Sequence, residues 1–183
     1  MCGIVGIVGS TTVTERLVDG LRRLEYRGYD SSGIAVITQD GALERRRAPG
    51  KISGLDQAIA TAPADGAVGI GHTRWATHGA PTLENAHPHV SGRVAIVHNG
   101  IIENYQELRS ELKAEGLTCS TPTDSEVIAH LIAAGLARDL GMADAFHAAV
   151  DRLRGAYALA ALNVDQPEAL YVARSGCPLV VGL

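Results

Sequence analysis

The stretch Cys2-Gly3-Ile4-Val5-Gly6-Ile7-Val8 opens the chain directly after Met1. It is a short apolar run rich in β-branched residues, which predicts a buried first strand. Removal of Met1 would leave Cys2 with both a free α-amine and a thiol. A neutral amine beside a nucleophile can act as its general base. The same pattern is also typical of a small, inert cysteine at the start of a strand, so this stretch alone leaves both interpretations open.

Composition predicts one globular domain, residues 1–183. Hydrophobic residues make up 46% of the chain and charged residues 20%, which is ordinary for a folded domain. The net charge of −4 gives no general attraction to nucleic acid or to an acidic membrane, so neither is expected as a partner. The run Arg45-Arg46-Arg47 is predicted to be the solvated edge of a strand rather than a phosphate site.

The cysteines and the N-terminus indicate a reducing compartment. Cys2, Cys119 and Cys177 form an odd set without a short-spaced pair, which is a poor disulfide framework. No basic residue precedes the first apolar stretch, and Glu15 and Arg16 soon end it, so neither a signal peptide nor a membrane span is expected. We therefore expect a cytoplasmic protein.

Hydrophobic periodicity predicts an α+β fold. The predicted strands are 4–8, 33–38, 42–48, 67–72, 93–98, 156–164 and 169–173, and the predicted helices are 13–24, 53–60, 104–116, 124–136 and 143–153. Asp40-Gly41 between two strands indicates a hairpin, and hairpins favour antiparallel pairing. Residues 12–15 have the spacing of a capping box, and Asn104 is predicted to cap its helix. Residues 178–183 suggest a strand cut short, so we expect the chain to be a piece of a longer protein.

An irregular segment, residues 73–90, holds the only tryptophan, Trp75, and three of the seven histidines. Irregular segments of this length are usually functional or mobile. Arg74 in this segment could grip a carboxylate with two hydrogen bonds, although it could equally be a surface arginine. Asp124 could hold an ammonium group, although aspartate at a helix start is often only an N-cap. Together, one arginine and one aspartate would recognise the backbone groups of a free amino acid.

Asn99-Gly100 follows a predicted strand and could supply two donors to an oxyanion, one from the asparagine amide and one from the glycine N–H. A plain Asn-Gly turn is the alternative. The histidines lack metal-ligand spacing on a helix, and we predict neither a metal nor a cofactor. Gly3, Gly6 and Gly9 lie within the first strand, unlike the glycines of a dinucleotide-binding turn, and no phosphate-binding loop sequence occurs.

Six blocks of sequence carry a resemblance when they are taken together and in order. They are residues 2–6 (CGIVG), 24–31 (LEYRGYDS), 72–79 (HTRWATHG), 85–89 (NAHPH), 98–104 (HNGIIEN) and 123–126 (TDSE). With these blocks the chain resembles the glutaminase domains of the glutamine–fructose-6-phosphate aminotransferases, which are class II, N-terminal-nucleophile glutamine amidotransferases. The resemblance runs from Cys2 to Leu183. It implies a four-layer α/β/β/α sandwich of antiparallel sheets and a glutaminase reaction that needs no cofactor.

The resemblance also implies catalytic roles. Cys2 would attack the side-chain amide of L-glutamine, release ammonia and form a γ-glutamyl thioester that hydrolyses to glutamate. Asn99 and Gly100 would form the oxyanion hole. Arg27 would support the nucleophile's end of the pocket, and Trp75 would lie on a mobile loop that covers the site.

For substrate binding, the resemblance implies that Arg74 holds the α-carboxylate of glutamine, with Thr77 and His78 beside it. Asp124 would hold the α-ammonium. These implied roles agree with the interpretation of Arg74, Asp124 and Asn99-Gly100 from the residues themselves.

A related family, the amidophosphoribosyltransferases of the purine pathway, typically carries His-Arg-Gly-Gln where this chain has Tyr26-Arg27-Gly28-Tyr29. That family also has a Tyr-Ser pair in place of Trp75-Ala76. Both differences favour the aminotransferase family.

The resemblance further implies a sugar-isomerase domain beyond Leu183, which would deliver ammonia to fructose 6-phosphate. We expect the glutaminase piece to be monomeric and the full-length enzyme to be a homodimer. Three alternatives stay open from sequence: another class II amidotransferase, a binding module made inactive by retained Met1 or by truncation, and a metal-binding protein.

Overall fold

Two antiparallel sheets pack face to face in the computed structural model, which describes residues 2–76 and 79–182. Within these residues the strands are β1 (Gly3–Val8), β2 (Ser31–Thr38), β3 (Leu43–Pro49), β4 (Gly66–Arg74), β5 (His89–Ser91), β6 (Val94–Ile102), β7 (Gly155–Asn163) and β8 (Tyr171–Ser175). The α-helices are α1 (Thr14–Leu24), α2 (Ile52–Thr61), α3 (Tyr105–Ala114), α4 (Glu126–Leu136) and α5 (Met142–Val150). The first sheet has the strand order β1-β4-β2-β3 and the second β5-β6-β7-β8.

The space between the sheets is filled by aliphatic side chains, most of them small or β-branched, namely Ala35, Ile37, Val68, Ile70, Ala95, Val97, Ala160 and Leu162. Successive strand residues point to opposite faces, so every second residue of β4 and β6 enters this layer. Continuing the alternation beyond Ile70 and Val97 brings His72, Arg74 and Asn99 to the end of the layer. The inter-sheet core therefore positions polar side chains at one edge of the sandwich.

The helices cover the outer faces of the two sheets. Leu17 and Leu21 of α1 and Leu55 of α2 pack against the first sheet. The second sheet is covered by α3, α4 and α5, whose buried residues include Ile128 and Phe146. The predicted α/β/β/α sandwich of antiparallel sheets is confirmed. No helix in the described parts of the chain is long and apolar enough to cross a membrane.

Most predicted elements are found, but β4 and β6 extend further at their C-terminal ends than predicted. β4 continues to Arg74 and β6 to Ile102, so Arg74 and the Asn99-Gly100 pair belong to strands rather than to loops. The strand predicted at the end of the chain is wrong for residues 178–182, which hold no strand. Apolar composition is not enough to form a strand there, because a strand also needs a neighbouring strand with which its backbone can exchange hydrogen bonds.

The side-chain hydrogen bonds predicted to cap two helices are not formed. α1 begins after Val13 with no side-chain cap. Thr12 donates its hydroxyl to Asp65 at 3.2 Å, and Thr14 donates to the carbonyl of Ala64. Asn104 occupies the predicted N-cap position of α3, but its side chain makes no cap hydrogen bond, since its amide bridges the carbonyl of Arg152 and the N–H of Arg154. Polar groups distant in sequence compete successfully for these side chains.

The arginine run lies on β3, which is an edge strand as predicted, but its side chains are half-buried rather than solvated. Arg47 donates to the carbonyls of Glu84 at 3.0 Å and Ala86 at 2.8 Å, and Arg45 donates to the carbonyl of Pro88 at 3.1 Å. Burial lowers the pKa of Arg47 to about 10. These arginines donate hydrogen bonds to backbone carbonyls of the irregular segment and so hold it against the first sheet.

Candidate active site

A cleft opens where β1 and β4 of the first sheet meet β6 of the second. Its lining combines a thiol, two oppositely charged side chains and several histidines: Cys2, His72, Arg74, Trp75, His87, His98, Gly100, Thr123, Asp124 and Ser125. Predicted site residues that are distant in sequence therefore share one cleft.

Cys2 reaches the cleft through the pairing of β1 with β4, in which Gly3 lies opposite Thr73. The backbone N–H of Trp75 donates to Cys2 Sγ at 3.1 Å, and the thiol lies 3.5 Å from the Trp75 carbonyl. Burial raises the pKa of the Cys2 thiol, and the hydrogen bond from Trp75 lowers it less strongly. A thiol with a raised pKa is protonated near neutral pH, so a nucleophilic role would require a base.

Asn99 and Gly100 lie on β6, so the alternative of a plain Asn-Gly turn is wrong. Asn99 Nδ2 donates to the carbonyl of Cys2 at 3.3 Å, which brings the amide beside the nucleophile's residue. Gly100 has φ +121°, and a Cβ there would lie 2.1 Å from the carbonyl oxygen of Ala156. Only glycine fits, and without a side chain its backbone is open to close approach by a ligand.

Arg74 is buried at the end of β4, so the alternative of a surface arginine is wrong. Its guanidinium donates to the carbonyls of Gly79 and Ala80, both at 3.2 Å, and lies 3.6 Å from the carboxylate of Asp30. A buried arginine that is held in this way is preorganised to receive an anionic group.

Asp124 is buried just before α4, but it is not the cap of that helix, which begins after Ser125. The N–H of Ile102 donates to Asp124 Oδ2 at 2.9 Å, and the Ser125 hydroxyl lies 3.4 Å from Oδ1. These contacts hold a carboxylate at the cleft that also contains Arg74. The two charges can therefore recognise a zwitterion.

The segment that carries this aspartate is held by a buried carboxylate. Glu126 accepts hydrogen bonds from the backbone and hydroxyl groups of Ser120 and Thr121. Burial alone would raise the pKa of Glu126, but hydrogen bonds from His130, Thr121 and Ser120 lower it below its ordinary value. Arg109 adds two bonds, to the carbonyls of Thr121 at 2.7 Å and Thr123 at 2.8 Å.

Trp75 stands at the mouth of the cleft with 53% of its surface exposed. Its ring lies against Gly28, where φ is +98° and a Cβ would lie 2.6 Å from the indole. Arg27 belongs to the short 3-10 helix Glu25–Arg27 and does not line the cleft. The remaining predicted binding residues, Thr77 and His78, lie outside the described residues.

The sequence interpretation gave no role to the buried histidines. His72 stacks on His87 with ring centroids 4.1 Å apart, and His87 meets His89 edge to face at 4.6 Å. Burial lowers the pKa of His72 to about 3 and that of His89 to about 3. The alternation from Ile70 to His72 to Arg74 would have indicated that His72 points into the site. Among the residues whose positions are described, no group of three or more His, Cys, Asp or Glu could hold a metal.

Comparison with known proteins identifies the family. The sequence matches the glutamine amidotransferase domain over residues 72–181, which is more than half of the chain. The chain belongs to this family. As an amidotransferase domain it is part of an enzyme, and the resemblance inferred from the six sequence blocks is confirmed.

Curated relatives are similar over the whole length of this chain. The glutamine–fructose-6-phosphate aminotransferase [isomerizing] of Pseudomonas putida is 59% identical over 184 residues, covering 100% of this chain and 30% of that protein. The protein of the same name from Caulobacter vibrioides is 57% identical, with the same coverage. The chain thus spans about a third of the length of these relatives.

Solved structures share the fold. The glutamine phosphoribosylpyrophosphate amidotransferase from B. subtilis, complexed with ADP and GMP, has a TM-score of 0.77 at 28% identity, covering 90% of this chain and 35% of that one. A structure described as the allosteric regulatory enzyme of purine biosynthesis has a TM-score of 0.78 at 29% sequence identity. The match covers 90% of this chain and 36% of that one. A glutamine aminotransferase class-II domain protein from Silicibacter pomeroyi has a TM-score of 0.64 at 18% sequence identity, covering 98% of this chain and 79% of that one. At this identity the similarity supports the fold alone.

Proposed function

We propose that this domain hydrolyses L-glutamine to glutamate and ammonia through a γ-glutamyl thioester on Cys2. One observation carries the proposal. The cleft joins a thiol, a backbone glycine with no room for a side chain, a buried arginine and a buried aspartate. Family membership supplies glutamine as the amide donor.

In the first half-reaction, Cys2 Sγ attacks the side-chain amide carbon of glutamine and the carbonyl oxygen becomes an oxyanion. Asn99 Nδ2 and the Gly100 N–H donate to that oxygen. Because burial raises the pKa of the thiol, its proton must be removed during attack. The α-amine of Cys2, which is free once Met1 is removed, takes this proton and delivers it to the leaving nitrogen. The C–N bond breaks, and ammonia leaves the thioester.

In the second half-reaction, water attacks the thioester carbon, and the same amine removes a proton from the water. A C–O bond forms, the C–S bond breaks, and the thiolate of Cys2 recovers its proton. The oxyanion again lies against Asn99 and Gly100, so one pair of donors serves both steps. The products are glutamate and a regenerated enzyme.

Substrate recognition is assigned to the two buried charges. Arg74 binds the α-carboxylate of glutamine, assisted by Thr77 and His78, and Asp124 binds the α-ammonium. The support comes from the shared cleft and from the hydrogen bonds that hold both side chains in place. Arg27 is proposed to stabilise the nucleophile's end of the pocket, and Trp75 to cover its mouth.

In the whole protein, we assign residues 1–183 to the glutaminase domain and expect a sugar-isomerase domain to follow. That domain would use the ammonia to convert fructose 6-phosphate to glucosamine 6-phosphate, in a homodimeric enzyme. The curated relatives, at 57–59% identity, carry the aminotransferase name, whereas the amidophosphoribosyltransferase-like structures are 28–29% identical. The difference in identity supports the aminotransferase.

The test is covalent labelling with an electrophilic glutamine analogue, followed by intact mass and peptide mapping. We expect loss of Met1, one adduct on Cys2, and protection by excess glutamine. The Cys2→Ala variant should release no glutamate from glutamine, whereas Cys119→Ala, which changes a half-buried thiol elsewhere, should retain activity. Glutamate release by Cys2→Ala at the wild-type rate would refute the mechanism. Retained Met1 without an adduct would identify an inactive binding module.

A further inference from the structure

His72 connects the sheet that carries the nucleophile to the sheet that carries the oxyanion donors. It lies on β4, opposite Ile4 of β1, whereas Asn99 lies on β6. His72 Nε2 lies 2.8 Å from Asn99 Oδ1 and 3.0 Å from the carbonyl of His98. With 1% of its surface exposed, His72 makes these contacts away from bulk water.

The surrounding carbonyl groups fix the orientation of the Asn99 amide. The His98 carbonyl can only accept, so the Nε2 atom of His72 must carry the proton. That N–H needs an acceptor on Asn99, which places Oδ1 toward His72. The Nδ2 group then faces the Cys2 carbonyl at 3.3 Å, where an acceptor again requires a donor. The two carbonyls thus determine one orientation of the amide from opposite sides.

The tautomer of His72 is consistent with its surroundings. Nδ1 finds no hydrogen-bond acceptor among the described residues, so a proton on Nδ1 would be unpaired, which favours the Nε2–H tautomer. The ring is held by stacking on His87 at 4.1 Å. Burial lowers the pKa of His72 to about 3, so the ring stays neutral over the physiological range.

We infer that His72 is a positioning residue: its Nε2–H holds the Asn99 amide with Nδ2 turned toward Cys2, where the oxyanion forms. This inference rests on the proposed glutaminase reaction. Asparagine amides can rotate by 180° and exchange oxygen for nitrogen at almost the same position. Without His72, the amide could present its oxygen to the oxyanion and repel it.

The kinetic test compares His72→Phe, which keeps a ring against His87 but removes the donor, with His72→Gln, which retains an N–H donor. For His72→Phe we expect kcat of glutamine hydrolysis to fall about 10- to 100-fold with KM changed less than about twofold, since small misplacements at the reacting centre have effects of this size. His72→Gln should recover part of that loss. In an Asn99→Ala background, His72→Phe should cause little further loss, because both substitutions remove the same interaction.

NMR tests the geometry independently of catalysis. Long-range ¹H–¹⁵N correlation should show the Nε2–H tautomer of His72, and the Asn99 side-chain NH₂ resonances should move in His72→Phe, which keeps a ring but removes the donor. An Nδ1–H tautomer, unmoved Asn99 resonances, or losses that multiply in the double variant would overturn the inference. If the wild-type protein fails to hydrolyse glutamine, the proposed function fails, and the NMR results still decide whether His72 orients Asn99.

Discussion

Asp30 contacts Arg74 through both backbone and side chain. The N–H of Asp30 donates to the carbonyl of Arg74 at 2.6 Å, and its carboxylate lies 3.6 Å from the Arg74 guanidinium. The same carboxylate accepts a hydrogen bond from the N–H of Ala76. Asp30 therefore orients the proposed carboxylate receptor and fixes the backbone that leads away from it.

Replacing this carboxylate with an amide should weaken substrate binding. For Asp30→Asn we expect the KM for glutamine to rise about tenfold, with a smaller change in kcat, because a partly buried charged pair is lost and Arg74 loses its fixed orientation. Steady-state glutaminase kinetics measure both values. The matched control is Asp19→Asn, which removes an exposed ion pair with Arg22 and should change neither. An unchanged KM in Asp30→Asn would show that the pair is dispensable.

Asp124 offers a second test of substrate recognition. Asp124→Asn keeps an oxygen for the N–H of Ile102 but removes the charge that we propose binds the ammonium. We expect the KM for glutamine to rise about 10- to 100-fold, as for a lost hydrogen bond between charged groups. The wild-type enzyme should discriminate against glutaramate, which lacks the α-amine, and the variant should lose most of that discrimination. If the wild type and Asp124→Asn discriminated equally between glutamine and glutaramate, the ammonium would not bind at Asp124.

Substitutions at Gly92 and Gly100 distinguish backbone strain from steric conflict. Both have positive φ, but a Cβ at Gly92 meets nothing within 4 Å, whereas at Gly100 it would lie 2.1 Å from the Ala156 carbonyl. Gly92→Ala should lower the free energy of unfolding by about 1 kcal/mol and leave activity intact. Gly100→Ala should destabilise the fold by more and abolish glutaminase activity. Urea unfolding and kinetics test this, and equal effects of the two substitutions would contradict it.

Acid should destabilise the fold through its buried histidines. Burial lowers the folded-state pKa of His72 to about 3 and of His89 to about 3, and lowers that of His87 well below its ordinary value. The unfolded chain takes up protons near pH 6.5, so below that pH the unfolded state binds more protons and stability falls.

Between pH 6.5 and pH 5.5 we expect a loss of about 1 kcal/mol per buried histidine in the free energy of unfolding. Urea titrations at the two pH values measure it. His89→Asn should reduce the pH dependence by roughly a third, whereas Lys51→Gln at an exposed position should not alter it. Stability that is independent of pH over this range would mean that these rings become charged within the fold.

Local sequence patterns predicted the elements well where hydrophobic periodicity was strong. The stripe Leu17-Leu21 on α1 and the hairpin at Asp40-Gly41 are found as predicted. Side-chain hydrogen bonds were predicted poorly, since Thr12, Asn104 and the arginines of β3 bind groups distant in the chain. Such partners leave no signal at short sequence spacing, because only the packing of separate elements brings them together.

The sequence by itself determined the layers and the residue types available for catalysis. Alternation and helical periodicity place apolar residues on one face of each element, and burial of those faces requires a layered α+β fold. The sequence likewise determines the thiol of Cys2, the missing side chain at Gly100 and the charges of Arg74 and Asp124.

Tertiary structure alone decided how those groups meet. Cys2, which precedes β1 of the first sheet, and Asn99, on β6 of the second, lie 97 residues apart, yet the backbone carbonyl of Cys2 accepts a hydrogen bond from the side chain of Asn99. The orientation of that side chain depends on His72, a buried residue whose partner on the other sheet no local pattern reveals. The physical reason is that strand alternation fixes which face a residue occupies, whereas the packing of one sheet on another fixes what it touches.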